Sequence, residues 1–226
     1  MAPTTTLHAL VTGFEPFGEP RPDDNRSWEA VRLLAGETIA AGDVGVVCHC
    51  HRLPVSYGAV SEAMPRLHRS GDFGIAIHCG EGSSGAVRLE RLAHRAGYVR
   101  PGDQGPLDLP PGGRVPGYDS AADELVTDVD VDSLRRALAA KCWAAVQVSM
   151  DAGRYVCDYT YFLSLAEGAL YPRRGRVAPA VLFVHVPPQA GDPYSESQLA
   201  EIVREIIRVL ARTQTQRQQR WCLTGE

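Results

Sequence analysis

The sequence predicts an α/β fold: a mainly parallel sheet covered by helices on both faces. Two observations predict it. Short apolar runs of strand length recur along the chain, and segments with helical spacing separate them. Strands that alternate with helices pair mostly in parallel and need cover on both sides. At 226 residues the chain reads as one domain spanning 1–226, with loose ends expected at 1–6 and 213–226.

Residues 7–13, Leu-His-Ala-Leu-Val-Thr-Gly, form an apolar run ending in Gly and read as a buried first strand. Phe14-Glu15-Pro16-Phe17-Gly18 and a Pro/Asp-rich stretch follow. Ser27 to Leu34 has helical spacing, with Asn25 or Ser27 as its cap. Residues 44–50 make a second strand, 56–69 a helix, and Phe73 to His78 a third strand closing on Cys79-Gly80. Val87 to Ala93 alternates as a fourth. Residues 100–119 are rich in Pro and Gly and read as a loop. Its length exceeds the usual connection in a compact domain, so it is expected to be functional or mobile. Asp132 or Ser133 caps a helix through Lys141. Trp143 to Val148 is a strand, Tyr155 to Leu170 a helix, and Ala178 to Val186 a strongly apolar strand. Tyr194 to Leu210 is a long amphipathic helix. From Arg212 the Gln/Arg-rich chain reads as a frayed tail.

Several function classes fall away. Net charge is −4 with no basic stripe, which argues against nucleic acid. No run approaches the roughly 18 apolar residues of a membrane span. Met1 to Thr6 lacks the basic and apolar regions of a secretory signal, so a cytoplasmic location is expected. The six cysteines then read as free thiols. Gly80-Glu81-Gly82-Ser83-Ser84-Gly85 is only superficially phosphate-like, lacking the Lys-Ser/Thr ending and a following helix. Cys48-His49-Cys50-His51 has metal-ligand chemistry. On a strand, however, 48 and 50 face away from 49 and 51, so four ligands cannot converge. The same caution holds for His78-Cys79, and no metal site is expected.

Cys157 is the strongest candidate for chemistry. It follows a strand and a Gly turn and lies near a helix start, where negative charge and hence a thiolate is favoured. The alternative is a buried structural cysteine. His185 ends an apolar strand, where an imidazole can serve as base to a thiol, or simply bond to backbone. Glu90 can orient that imidazole, or pair on the surface with Arg88 or Arg91. Phe14 and Phe17 flank a Glu-Pro turn after the first strand. They can clamp a flat apolar ring, or fill core beneath the loop. Ligands of such sheets sit beyond strand carboxyl ends, here Gly13-Phe14, Met150-Asp151-Ala152-Gly153 and His185.

Together these segments resemble the pyroglutamyl peptidase I (pyrrolidone carboxyl peptidase) family of cysteine peptidases. The resemblance runs through Val11 to Gly18, Asn25-Arg26-Ser27-Trp28, His78-Cys79-Gly80, Leu89-Glu90-Arg91, Val148 to Tyr161 and Phe183 to Pro188. The block around Cys157 is its most specific part. The resemblance implies a three-layer α/β/α sandwich around a mainly parallel, mixed sheet. It implies a single catalytic domain that removes an N-terminal pyroglutamyl residue from small peptides. Glu90, Cys157 and His185 match the family's catalytic Glu, Cys and His. Phe14 and Phe17 match the aromatics that hold the pyrrolidone ring, backbone near Val156 suits the ring amide, and Arg100 matches the spacing of an arginine that assists at the oxyanion. No metal or organic cofactor is implied, and the oligomeric state is open because the family holds monomers and tetramers.

Some features depart from the family. Arg26 replaces a usual Pro or Ala, the 80–90 loop is one residue shorter, and Glu81 stands where an uncharged residue is common. His94 and Asp158-Tyr159 look closer to animal members. A non-catalytic peptide-binding relative is the competing reading. A nucleoside-phosphorylase-like enzyme is another, but it would need an anion pocket, and the sequence offers no convincing one.

Overall fold

The computed structural model describes residues 5–18, 22–172, 175–188 and 194–224. Among the described residues nine strands are present: β1 (Thr5–Phe14), β2 (Thr38–Ala41), β3 (Val44–Leu53), β4 (Ile75–Glu81), β5 (Val87–Glu90), β6 (Leu92–His94), β7 (Glu124–Val126), β8 (Val146–Ser149) and β9 (Ala180–Val186). Five α-helices accompany them: α1 (Arg26–Arg32), α2 (Tyr57–Ser70), α3 (Val131–Ala139), α4 (Val156–Gly168) and α5 (Glu196–Thr224). Seven strands form one sheet in the order β2-β3-β1-β4-β9-β5-β8, and β6 pairs with β7 apart from it.

Pairing of β1 with β3 and β4, of β4 with β9, and of β5 with β8 is parallel. The β2·β3 and β5·β9 pairs are antiparallel, so the sheet is mixed. The central strands are buried on both faces, which is why they read as near-continuous apolar runs. One core cluster joins the sheet to α1, α3 and α5 through Val31, Leu134, Ile206 and their neighbours. The other joins the opposite face to α2 and α4 through Val60, Met64, Tyr161 and Phe162. This is the three-layer α/β/α arrangement.

Local chemistry explains the helix starts. Asn25 caps α1 by accepting from the Ser27 N–H at 2.9 Å. Ser56 caps α2, and Asp108 from the long loop adds to it, accepting from the N–H groups of Tyr57 (2.8 Å) and Gly58 (2.9 Å). That loop carries two short 3-10 turns, Pro106–Asp108 and Pro111–Gly113. Asp108 thus ties the loop to the body of the fold.

The structure corrects several expectations, among them the cap of α3, which is Asp130 rather than Asp132 or Ser133. β2 does not figure in the sequence reading, because four residues returned by a turn at Gly42 (φ 75°) leave almost no periodic signal. The alternating run from Val87 breaks at Arg91, so its two halves join different sheets. Helix α5 continues to Thr224 rather than fraying at Arg212. Gln and Arg are good helix formers. Buried Ala211 and Gln214 anchor this stretch, Gln214 donating to the Ala178 carbonyl at 2.7 Å. At the other end β1 already pairs at Thr5, opposite Val44, within the stretch expected to be loose. Residues 1–4 and 225–226 of the expected tails lie outside the described residues.

At Gly13, β1 passes so close to α1 that a Cβ would lie 2.7 Å from Trp28 Cα and 2.8 Å from Trp28 N. Backbone cannot yield as a flexible side-chain tip does. Gly13→Ala is therefore expected to cost about 2 kcal/mol of stability, read by urea denaturation. An unchanged midpoint would contradict this close approach.

Candidate active site

Strand β4 ends beside β9, with Gly80 opposite His185. A Cβ on Gly80 would sit 2.8 Å from Cys157 Sγ, and one on Gly82 2.8 Å from His185 Cβ. Both positions therefore need glycine to leave room for the sulfur and the imidazole. Cys157 arrives by a turn between β8 and α4. Asp151 Oδ1 accepts from the Gly153 N–H at 3.0 Å, and Gly153 takes the left-handed conformation (φ 84°). Tyr155 is the N-cap of α4, and its side chain makes no capping bond. The first helical bond runs from Tyr159 N to Tyr155 O. The N–H groups of Val156, Cys157 and Asp158 precede it and are free of helical partners.

His185 and Glu90 meet where β9 and β5 run antiparallel. His185 Nδ1 lies 2.8 Å from Glu90 Oε1, and both side chains are buried. An ionised carboxylate only accepts, so Nδ1 carries the proton and Nε2 is left for another partner. Cys157 faces the same cleft, close enough to act with Glu90 on the imidazole. Burial alone would push the imidazole pKa down. The bonds and charges of Cys157 and Glu90 outweigh it and raise the pKa to about 9. The surface pairing of Glu90 with Arg88 or Arg91 is not what the structure shows. Glu90 is not a surface residue, Arg91 pairs with Asp132, and Arg88 donates to the Ser83 carbonyl at 2.8 Å.

A cleft of about 420 Å³ opens over these groups. Phe14, Phe17, Glu90, Arg100, Val156, Cys157 and His185 all line it. Phe14 is both core and wall, buried and packed against Phe183 with ring centroids 6.4 Å apart. Arg100 lies over the Tyr155 ring, 4.4 Å from its centroid. The three strand-end segments expected to meet a ligand all reach this cleft. The β8 turn does so although β8 and β5 run opposite to β9.

The model of the family described as pyroglutamyl peptidase matches residues 7–191. The chain belongs to that family. Pyroglutamyl-peptidase 1 of Mus musculus is 35% identical over 207 residues, covering 88% of this chain and 87% of the relative. Pyrrolidone-carboxylate peptidase of Thermococcus onnurineus is 31% identical, covering 92% and 98%. A solved mutant pyrrolidone carboxyl peptidase from Pyrococcus furiosus superposes with a TM-score of 0.73 at 26% identity, covering 92% and 99%. This member of the pyroglutamyl peptidase family is a hydrolase, a cysteine exopeptidase, and its fold is that of the solved pyrrolidone carboxyl peptidases. No helix among the described residues is long and apolar enough to cross a membrane.

The other candidate chemistry is accounted for by packing. Cys48 lies in the core on the α5 face, while His49 packs on Phe73 at 5.5 Å on the other face. Burial pushes Cys48, Cys50 and Cys79 up to about 12. His78 is fully buried between Thr12 Oγ1 (2.8 Å) and Ser164 Oγ (2.7 Å), and burial lowers it to about 3. Among the described residues, no group of three or more His, Cys, Asp or Glu is arranged to hold a metal ion.

Sequence reasoning gave no role to Tyr155, whose ring sits between Phe17 (6.3 Å) and Tyr57 (6.2 Å) at the cleft. Its place at the start of the expected helix, two residues before Cys157, was the available signal. The departures at 26 and 81 prove to be partners. Glu81 Oε1 accepts from the Arg26 N–H at 2.8 Å, and the buried Arg26 guanidinium donates to the Pro187 carbonyl at 3.2 Å. Burial raises the Glu81 carboxyl, against the pull of Arg26. The 80–90 loop is held by Arg88 through the carbonyls of Ser83, Ser84 and Ala86.

Gly80→Ala is expected to displace Cys157 from His185, since Phe183 (2.9 Å from the new Cβ) blocks the other way out. Alkylation of Cys157 by iodoacetamide should slow about a hundredfold. Alkylation at the unaltered rate would contradict the contact.

Proposed function

We propose that the chain hydrolyses the N-terminal pyroglutamyl (5-oxoprolyl) residue from peptides, with Cys157 as nucleophile, His185 as base and acid, and Glu90 as the group that orients His185. One observation carries this reading. The Glu90–His185–Cys157 series lies at the open N-terminus of α4, in a cleft with aromatic walls.

Pyroglutamate is a neutral lactam without a free amine. It asks for flat apolar walls and bonds to its ring amide, not for a charged anchor. Phe14, Phe17 and Val156 supply such walls. The cleft volume falls within the roughly 300–1,000 Å³ of small-ligand sites. Backbone groups near Val156 suit the ring N–H and C=O.

His185 takes the Cys157 proton, and the thiolate attacks the carbonyl that follows the ring. The C=O electron pair moves onto oxygen. That oxyanion meets the free N–H groups at the start of α4, and one such donor contributes ~3 kcal/mol. The Arg100 guanidinium at the same wall adds positive charge. The tetrahedral intermediate collapses, the C–N bond breaks, and His185 returns its proton to the departing amine. Water, deprotonated by His185, then attacks the thioester and restores the thiol. The six free cysteines fit a reducing compartment, and we place the enzyme in the cytoplasm.

Cys157→Ala is expected to cut release of aminomethylcoumarin from its pyroglutamyl amide by at least about a thousandfold, with an unchanged melting temperature. A variant at full rate would remove Cys157 from the mechanism. The pH profile tests His185 separately. Its pKa is raised to about 9, so the imidazolium persists at neutral pH and is lost as pH rises through that value. The specificity constant should therefore fall above about pH 9. A profile still rising at about pH 10 would refute the assigned proton donor.

A further inference from the structure

Residues 94–100 touch the segment that presents Cys157 at four successive points. Gly97 (φ 103°) rests on the stem of Arg154, where a Cβ would lie 3.2 Å from Cδ. The Arg100 guanidinium covers the Tyr155 ring at 4.4 Å. The Tyr98 ring meets that of Tyr159 edge-on, 5.1 Å between centroids. Between these contacts sits Asp158, the residue next to Cys157.

Asp158 is fully buried and does not line the cleft. Its carboxylate accepts from the His94 backbone N–H (3.3 Å to each oxygen), from His94 Nδ1 (3.2 Å) and from the Tyr98 hydroxyl (2.9 Å). All three donors belong to residues 94–98. Tyr98 OH also reaches the His94 carbonyl, closing the segment on itself. Two residues on, the Arg100 carbonyl accepts from Tyr57 OH at 3.0 Å. Burying a carboxylate is costly unless donors surround it. Here every donor comes from one strap, and the strap ends at the cleft wall.

We propose that Asp158 is a positioning residue that, with His94 and Tyr98, straps residues 94–100 onto the Cys157 turn and so sets Arg100 and Tyr155 at the mouth of the cleft. The effect on catalysis rests on the pyroglutamyl-peptidase reading above; the effect on the strap does not. The strap acts on substrate binding more than on the nucleophile, whose partners His185 and Glu90 lie on β9 and β5.

A pH dependence follows. Burial pushes the Asp158 carboxyl up to about 6, against the hydrogen bonds of Tyr98 and His94. The groups facing it are His94 of β6, Tyr98 of the strap, Arg154 ahead of α4 and Tyr161 on α4. His94 in turn has Glu124 of β7 at 3.8 Å from Nε2. As pH falls through about 6 the carboxyl gains a proton, and one accepting oxygen becomes a donor among donors. The strap loosens on the acid side.

The test compares wild type with Asp158→Asn on the pyroglutamyl aminomethylcoumarin substrate between about pH 5 and about pH 9. Iodoacetamide alkylation and hydrogen–deuterium exchange of residues 94–100 are followed in parallel. At neutral pH, Asp158→Asn should raise KM about tenfold, with kcat within about threefold and alkylation within about twofold. The rise of KM below about pH 6 should vanish in the variant, and exchange across 94–100 should speed up. Unchanged KM and exchange would overturn the proposal. So would a loss carried by kcat and alkylation together, which would make Asp158 part of the nucleophile's own surroundings. Should the Asn variant not fold, Tyr98→Phe removes one donor and must shift KM and exchange the same way. A wild type without turnover would sink the pyroglutamyl reading instead, and exchange alone would then decide the strap.

Discussion

A carboxylate and an imidazole, 2.8 Å apart and both buried, set the terms for the rest of this molecule. Neither tolerates burial alone, and removing one partner leaves the other uncompensated. Their meeting requires β5 to run antiparallel to β9, with Arg88 opposite His185 and Glu90 opposite Phe183. The one reversal in the middle of an otherwise parallel run of strands is thus the feature that delivers Glu90 to His185. The glycines at 80 and 82 follow from the same demand, since any side chain there would occupy the space of the sulfur or the ring.

That reversal marks the limit of what the sequence discloses. Hydrophobic periodicity locates β1, β4 and β9, because strands buried on both faces write themselves as apolar runs. Alternation also separates Cys48 from His49 correctly, one in the core and one against Phe73. Strand direction has no such local signature. Glu90, Arg88 and Arg91 look equivalent in a short alternating segment, and only pairing with β9 separates the carboxylate from the surface. Composition misleads at α5, where polar Gln214 is a buried donor rather than the start of a frayed end. The role of Tyr155 is invisible for a related reason, since it depends on Phe17 and Arg100 arriving from distant segments.

Three parts of the fold contribute to one cleft, and each supplies a different physical service. The sheet supplies the rigid pair, Glu90 and His185. Helix α4 supplies Cys157 together with N–H groups that no helical acceptor uses. The long loop supplies Arg100, and Asp108 fastens it by capping α2. A loop of this length costs little in closure entropy but much in precision unless something anchors it. The Asp108 cap at one end and the Asp158 strap at the other restrict the freedom of the chain between them. The loop between them is held against the body of the fold, Asp103 N–H donating to the Val55 carbonyl at 2.9 Å, and it reaches the cleft through Arg100.

The six cysteines show how far reactivity belongs to surroundings rather than to residue type. Cys48, Cys50 and Cys79 are pushed up to about 12 by burial and stay protonated at neutral pH. Cys142 and Cys222 are exposed. Cys157 alone stands in the first turn of a long helix, beside an imidazole whose pKa is raised to about 9. A raised pKa makes this imidazole the stronger base toward a neighbouring thiol and the weaker acid. Burial works against its charged form, and Cys157 and Glu90 together outweigh that burial. The difference between Cys157 and the buried cysteines is thus one of place: a helix start and an imidazole beside it, rather than apolar core.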